Sequence, residues 1–297
     1  MTPDGSTEDP TTVAVSALRA GQDVVGVFAC TRKDRLMTRN GSPYLALELR
    51  DRTGTLPARA FQNADTLAGR FERGDVVSVR GRVERFRDEL VLEVIEIARA
   101  QDVDPGHFLP TAYRDLDELD GFLEHLSGEV YDGAYQQLLA SMLADRELRA
   151  QWRLAPCTRG SHHSYLGGLL EHTVAVATLA HETCQLHPGV NSDLLICAAL
   201  VHDIGRTREF TYGAEIGVTE EGRLLGHMAI GARMLTDRAV GVLDEPRLLA
   251  LLHCVLGHHG PSSVPGGRFQ SVEALTLFRL NALDAGVKGA LEHGLGA

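Results

Sequence analysis

Apolar and polar positions alternate in two different rhythms along this chain. Between Val24 and Ile97 the apolar runs are short, and the clearest has a period of two. In Tyr44–Arg50, Leu45, Leu47 and Leu49 share one face while Ala46 and Glu48 share the other, which predicts a half-buried strand. Val24–Phe28, Thr55–Phe61, Val76–Val83 and Leu90–Ile97 read as four more strands. Turn signals at Asp51-Arg52-Thr53-Gly54, Gly74-Asp75 and Arg87-Asp88-Glu89 separate them, and Asn63–Arg70 has room for a short helix. From Ala112 onward the spacing lengthens to three and four. Leu116, Leu119, Phe122, Leu123 and Leu126 form one helical stripe. Further helices are predicted over 135–148, 166–186, 193–202, 224–239, 245–256 and 271–291.

Five strands with a helix between the third and fourth match the small Greek-key barrel known as the OB-fold. The expected fold class is therefore multidomain, an N-terminal all-β OB-fold barrel followed by a C-terminal all-α bundle. The expected boundaries are a disordered tail over 1–12, the barrel over 13–100, a linker over 101–111 and the bundle over 112–297. Asp104-Pro105-Gly106 and Pro110 punctuate the linker. Such barrels hold single strands with basic and aromatic side chains on one face. Arg32, Lys33, Arg35, Arg39, Tyr44, Arg59, Phe61 and Arg85 are the candidates here.

Charge sharpens the division. The net charge of −11 argues against a protein that coats duplex DNA with a basic face. Residues 13–100, however, hold 15 basic and 12 acidic side chains, a balance of +3, and the remainder carries −14. The front half is the better place for a polyanion. In the acidic back half, bound cations would supply local positive charge. The five cysteines are scattered with no C-x-x-C pair, which predicts reduced core thiols in a cytoplasmic protein. No apolar stretch is long enough to span a bilayer, so no membrane partner is expected.

The candidate chemistry lies in the helical half. His202-Asp203 ends the apolar run Leu194–Val201, where an imidazole and a carboxylate are expensive to desolvate unless something compensates them. A divalent cation would. His172 precedes the pair, and His227, His258-His259, Asn281 and Asp284 follow it on successive predicted helices. A bundle lets such residues converge on one inward point. The expected first cation site is His172, His202, Asp203 and the Asn281/Asp284 region. The second is Asp203, His227, His258 and His259, with Asp203 bridging. One or two ions are expected, manganese first, with cobalt, iron, nickel, zinc or magnesium as alternatives. Arg206 either grips a phosphate oxygen or complements a helix C-terminus. His162, His163 and Tyr165 lie in a loop leading into the His172 helix and are candidate substrate contacts.

The segments Ser161-His162-His163, Gly167–His172, Leu200–Gly205, Glu221–His227 and Val255–Gly260, with Phe108–Ala112 in the linker, resemble the HD-domain phosphohydrolase superfamily. With a barrel in front, the chain looks like YhaM-type 3′–5′ exoribonucleases over about Val24 to Leu291. The resemblance implies that 112–297 is an HD metal-dependent phosphohydrolase domain. It also implies activation by a manganese-type cation, with His202, Asp203 and Arg206 at the catalytic centre. Metal-activated water would cut single-stranded RNA, with single-stranded DNA as an alternative, from the 3′ end to nucleoside monophosphates. Two positions differ from the family pattern. Arg206 stands where Lys is usual, and Asn281-Ala282-Leu283-Asp284-Ala285 stands where the family has D-N-L-D-A, so an amide occupies a ligand position. Two other readings fit the residues: a phosphodiesterase or phosphohydrolase acting on small nucleotides, and a non-catalytic nucleic-acid-binding protein with a residual metal site.

Overall fold

The computed structural model describes residues 14–101 and 103–295, so the expected tail over 1–12 lies outside the described residues. The described chain forms two compact units. The first runs to Leu109 and takes in Tyr212–Ile216; the second comprises Pro110–Thr211 and the chain from Gly217 onward.

In the first unit, strands β1 (Asp23–Met37), β2 (Pro43–Asp51), β3 (Gly54–Ala60), β4 (Val76–Phe86) and β5 (Glu89–Arg99) close into a barrel of order β1-β2-β3-β5-β4. A short helix, α1 (Ala64–Ala68), sits between β3 and β4, as expected from the sequence. The interior is filled by the alternate residues that the period of two selects, among them Phe28, Leu45, Leu47, Leu49, Leu56, Val77, Val79, Leu92 and Ile97. β1 is longer than its apolar run. A bulge between Cys30 and Arg32 lets its first half pair with β4 and its second half with β2. Beyond that bulge the strand is mostly solvated, so hydrophobicity did not mark it. The β4–β5 hairpin turns on Arg87 and Asp88, both at positive φ (50° and 69°).

The second unit is helical, with α2 (Leu116–Gly128), α3 (Gly133–Ala144), α4 (Arg146–Leu154), α5 (Gly168–Leu186), α6 (Ser192–Val201), α7 (Arg206–Glu209), α8 (Glu220–Ala239), α9 (Glu245–Gly257) and α10 (Val272–His293). A small hairpin, β6 (Phe210–Tyr212) with β7 (Ile216–Val218), interrupts the helices. The single helix expected over 135–148 is two. Asp145 is extended (φ −75°, ψ 102°), and its carboxylate accepts the Leu148 N–H to cap α4. α6 is the central helix: every residue from Leu194 to Val201 is buried. Each large aliphatic side chain buried this way contributes about 1.5–3 kcal/mol. That all-round burial carries His202 and Asp203 into the interior. No helix among the described residues is long and apolar enough to cross a membrane.

α4 leads into the loop that borders the site, and an ion cluster fastens it to α2. Arg149 donates twice to Asp120 (3.1 and 2.7 Å to Oδ2), and Arg153 adds a third bond at 2.8 Å. Burial works to raise the Asp120 carboxyl, but the two guanidiniums outweigh it and hold it below the usual carboxylate range. A carboxylate lowered in the folded state stabilises above its unfolded pKa of about 4, and that contribution is lost as the pH falls through the folded value. Asp120→Asn is therefore expected to lower unfolding stability by about 2 kcal/mol at neutral pH. In urea titrations the difference from wild type should shrink on going to strong acid.

Candidate metal centre and nucleic-acid face

The two histidine-bearing helix ends are built alike. His202 is the C-cap of α6 and His258 the C-cap of α9, both with helical backbone angles. The last carbonyls of a helix lack intrahelical partners. Each imidazole supplies one, donating from Nδ1 to the carbonyl three residues back: His202 to Ala199 (2.8 Å) and His258 to Val255 (2.5 Å). That bond fixes the tautomer, so both Nε2 atoms are electron-pair donors facing inward. His172, from the first half of α5, is set the same way by a different group. Its Nδ1 donates to Asp284 at 2.6 Å, leaving Nε2 toward the centre.

These lone pairs converge on Asp203. His172 Nε2 and His202 Nε2 are 3.2 Å apart, and each lies within 3.9 Å of Asp203 Oδ2. The other carboxylate oxygen faces a second group: Oδ1 lies 3.3 Å from His227 Nε2 and 3.4 Å from His258 Nε2. His259 joins it at 2.9 Å from His227 Nε2, on the exposed side. His227 is placed there by Gly226, whose φ of 69° kinks α8 one residue before it, a conformation glycine adopts without strain.

This arrangement fits a cation. His172 and His202 both direct Nδ1 to acceptors elsewhere, which turns their two Nε2 atoms toward each other at 3.2 Å. Asp203 Oδ1 and His258 Nε2 are buried without a hydrogen-bond partner. A buried polar atom left this way costs about 1–3 kcal/mol unless something else satisfies it. Two donor groups lie around the one carboxylate, His172/His202/Asp203 and Asp203/His227/His258/His259, with ligand atoms within 4.8 Å in each. Burial by itself would raise the Asp203 carboxyl, but Arg206 and the surrounding histidines hold it far below the ordinary carboxylate range. Burial pushes the His202 imidazole well below its ordinary value, keeping it neutral and able to ligate.

The structure places several of the expected residues in different surroundings. Asp284 does not sit beside Asn281 at the centre. Asn281 presents Oδ1 at 3.0 Å from His172 Nε2, oriented by its Nδ2 donating to the His258 carbonyl. Asp284, one turn on, lies behind the ring and holds it through Nδ1. Arg206 is neither a helix C-terminal cation nor open to solvent. It begins α7, is buried, and gives Nε to Asp203 Oδ2 and one terminal nitrogen to Glu209, both at 3.1 Å. His163 is buried rather than solvated, donating to Asp284 from Nε2 and to the Tyr165 hydroxyl from Nδ1, both at 3.0 Å. Burial would lower this imidazole, but Asp284 and Glu171 raise it. Tyr165 in turn donates to Glu171 at 2.7 Å. His163 and Tyr165 thus form a support behind His172, whereas His162 has a ring nitrogen within 4.8 Å of Cys157 Sγ and of a His172 ring nitrogen.

Four participants carried no signal strong enough to find them. Glu209 approaches His227 through both oxygens, 3.3 Å to its N–H and 3.6 Å to Nδ1. Glu171 and Lys288 close the network behind His172 at 3.2 Å. Cys157, read as a core thiol, lies 3.5 Å from Asp203 Oδ2.

On the barrel, Tyr44 and Phe61 stack (centroids 5.3 Å, 26°), and Phe61 is 46% exposed. Arg59 lies 4.4 Å over the exposed Phe86 ring. Arg39 is exposed in the β1–β2 turn, and Arg85 is exposed near the end of β4. Arg32 and Arg35 are exposed but engaged with Asp34 (2.8 Å) and Asp65 (2.7 Å). Such pairs are weak enough to exchange for phosphate. Lys33 is different. Its side chain is only 13% exposed and its ammonium donates to the carbonyls of Ala68 (2.8 Å) and Phe71 (2.5 Å) and to Glu72 (3.0 Å). It closes the segment after α1, with its ammonium already engaged.

Two outcomes are expected. Phe61→Ala or Tyr44→Ala should weaken single-stranded oligonucleotide binding by about 1–3 kcal/mol in anisotropy titrations, whereas Lys33→Ala should lower thermal stability. Asp284→Asn should reduce metal affinity about 10–100-fold, as loss of a group orienting a ligand does. Isothermal titration of the metal-stripped chain would measure that drop, and an unchanged affinity would remove Asp284 from this role.

Comparison with known proteins agrees with this geometry. Residues 169–286 match the HD domain family, and residues 27–98 match the family described as an OB-fold nucleic acid binding domain. Proteins named 3'-5' exoribonuclease YhaM align along most of the chain. The one from Shouchella clausii is 26% identical, covering 90% of this chain and 85% of its own. That from Bacillus velezensis is 27% identical, covering 89% and 85%, and that from Bacillus subtilis 28%, covering 83% and 79%. The chain thus joins an OB-fold barrel to an HD domain, and is similar over most of its length to exoribonucleases of the YhaM type.

Proposed function

We propose that this protein is a metal-dependent 3′–5′ exonuclease that removes nucleoside monophosphates from single-stranded RNA. The observation that carries the reading is the pairing of inward electron-pair donors around a carboxylate whose two oxygens each face a separate group of imidazoles. Such a site suits two cations sharing Asp203. His172, His202, Asp203 and Asn281 would hold one, and Asp203, His227, His258 and His259 the other. Bound there, the cations would supply Lewis acidity toward a phosphodiester and make water a better nucleophile. Manganese, iron or cobalt suits this mixture of imidazole and oxygen donors.

The protein's own groups do the rest. Arg206 keeps Asp203 ionised and fixes its orientation, so the family's usual lysine charge is retained here as support for the carboxylate. Glu209 holds His227, and Asp284 with His163 holds His172. Asn281 brings an oxygen without a charge, which leaves the first site less negative than a second carboxylate would make it. The hydrolysis adds water across the terminal phosphodiester: one phosphorus–oxygen bond forms, one breaks, and the leaving oxygen takes up a proton. The stacked aromatics and arginines of the barrel suit a flexible strand better than a small nucleotide, and the names of the relatives supply the direction of attack and the preference for RNA.

The test uses the full chain with Mn²⁺ and single-stranded RNA labelled at either end. Stepwise shortening of 5′-labelled RNA, immediate release of label from 3′-labelled RNA, and loss of both in Asp203→Ala and with chelator are expected. Turnover of cyclic or linear small nucleotides with no shortening of RNA would replace this reading with that of a small-molecule phosphodiesterase.

A further inference from the structure

The loop between α4 and α5 is folded for a purpose its hydrogen bonds reveal. The Thr158 hydroxyl donates to the His162 carbonyl (2.7 Å) and accepts the N–H groups of Ser161 and His162 (3.1 Å each). The Cys157 N–H donates to the His163 carbonyl at 3.1 Å. His163 itself is in the left-handed region (φ 47°). Its carbonyl also presses against Gly168, where a Cβ would stand 2.2 Å from the oxygen, so only glycine fits. The closed loop brings Cys157 and His162 together in front of His172. Cys157 Sγ and one ring nitrogen from each histidine lie within 4.8 Å of one another. The thiol is completely buried, and Asp203 Oδ2, an oxygen of the centre itself, is its hydrogen-bond partner. His162 Nδ1 is shielded from solvent and has no partner among the described residues. A buried nitrogen without a partner, a buried thiol and a ligating histidine, held by one pinned loop, form a donor set of their own.

Sulphur beside imidazole selects softer cations than carboxylate and imidazole alone. We propose that Cys157, His162 and His172 form a thiophilic subsite on the His172 side of the centre, one that takes zinc, cobalt(II) or cadmium in preference to manganese or magnesium. The inference rests on reading the centre as a metal site and adds to it a sulphur ligand and a cation preference. On binding, the Cys157 S–H bond breaks, the sulphur electron pair goes to the cation, and the proton passes to bulk water. Because His172 belongs to both donor sets, a soft cation held here competes with a hard one held by His172, His202 and Asp203. The choice of cation in this chain is then set partly by the α4–α5 loop and not only by the helices.

The test is cobalt(II) titration of the metal-stripped full chain, read by absorption and by metal analysis. Wild type should show a sulphur-to-cobalt charge-transfer band in the near ultraviolet. Cys157→Ala should lose the band and bind Cd²⁺ ~10-fold or more weakly, at least the loss expected when a supporting group is removed. His162→Ala should also weaken Cd²⁺ binding. Cys184→Ala should keep the band, since Cys184 is twelve residues beyond His172 on α5, about 18 Å from it by helical rise. Cys157→Ser keeps the size and the hydrogen bond to Asp203, and carries the same expectation if circular dichroism shows that the alanine variant has not folded. Bound cobalt without a charge-transfer band, or a band that survives loss of Cys157, overturns the subsite and leaves the centre standing. Failure to bind any cobalt overturns both.

Discussion

A single buried carboxylate organises the helical unit. Asp203 is fully enclosed, has one oxygen without a hydrogen-bond partner, and is surrounded by the Nε2 atoms of imidazoles whose Nδ1 atoms are hydrogen-bonded elsewhere. An ionised group in such a place is tolerable only with positive charge close by. Arg206 provides one, and it is itself buried, so neither partner can be removed without stranding the other. The apolar helix α6 that carries Asp203 inward, the α8 kink that brings His227 to it and the α9 terminus that supplies His258 serve the same end. They desolvate a charge and then surround it with donors suited to a cation.

The histidines are prepared by two distinct devices. At the ends of α6 and α9, terminal carbonyls accept hydrogen bonds from Nδ1, so the helix end that needs donors fixes the tautomer the centre needs. His172 is mid-helix, where the carbonyls are already used, and the task falls to a carboxylate from α10. That difference accounts for the second layer behind His172, in which Asp284, His163, Tyr165, Glu171 and Lys288 hand hydrogen bonds from one to the next. Asn281 and Asp284 are three residues apart on α10 and face opposite sides of one imidazole ring. The amide contributes an oxygen to the centre and the acid contributes orientation.

The barrel solves a different problem. Its interior is an uninterrupted apolar alternation, while its outer face carries a stacked aromatic pair and an arginine lying over a phenylalanine ring. The positive charge needed for a polyanion is partly held in exposed ion pairs with Asp34 and Asp65, which contribute little to stability and are easily exchanged. Lys33 shows the opposite case. A basic side chain in the same strand is folded over the end of a short helix and spent on carbonyls.

Sequence by itself determined both architectures, because the period of the apolar positions is a direct consequence of backbone geometry: two for a strand, between three and four for a helix. It also determined the inward set around His202-Asp203, since polar residues ending a wholly apolar helix have no solvent to turn to. Tertiary structure decided what periodicity cannot express. Whether an acid one turn from an amide points at a metal or at the back of a histidine depends on which helix lies opposite, and here His172 of α5 takes Asp284 on its far side. Whether an arginine reaches for substrate or for a carboxylate depends on the few ångströms between α7 and Asp203. Cys157 looked like any core thiol, because its neighbours in space, His162 and His172, are brought to it by a loop whose closure rests on one threonine hydroxyl and one close-packed glycine, contacts that no local pattern encodes.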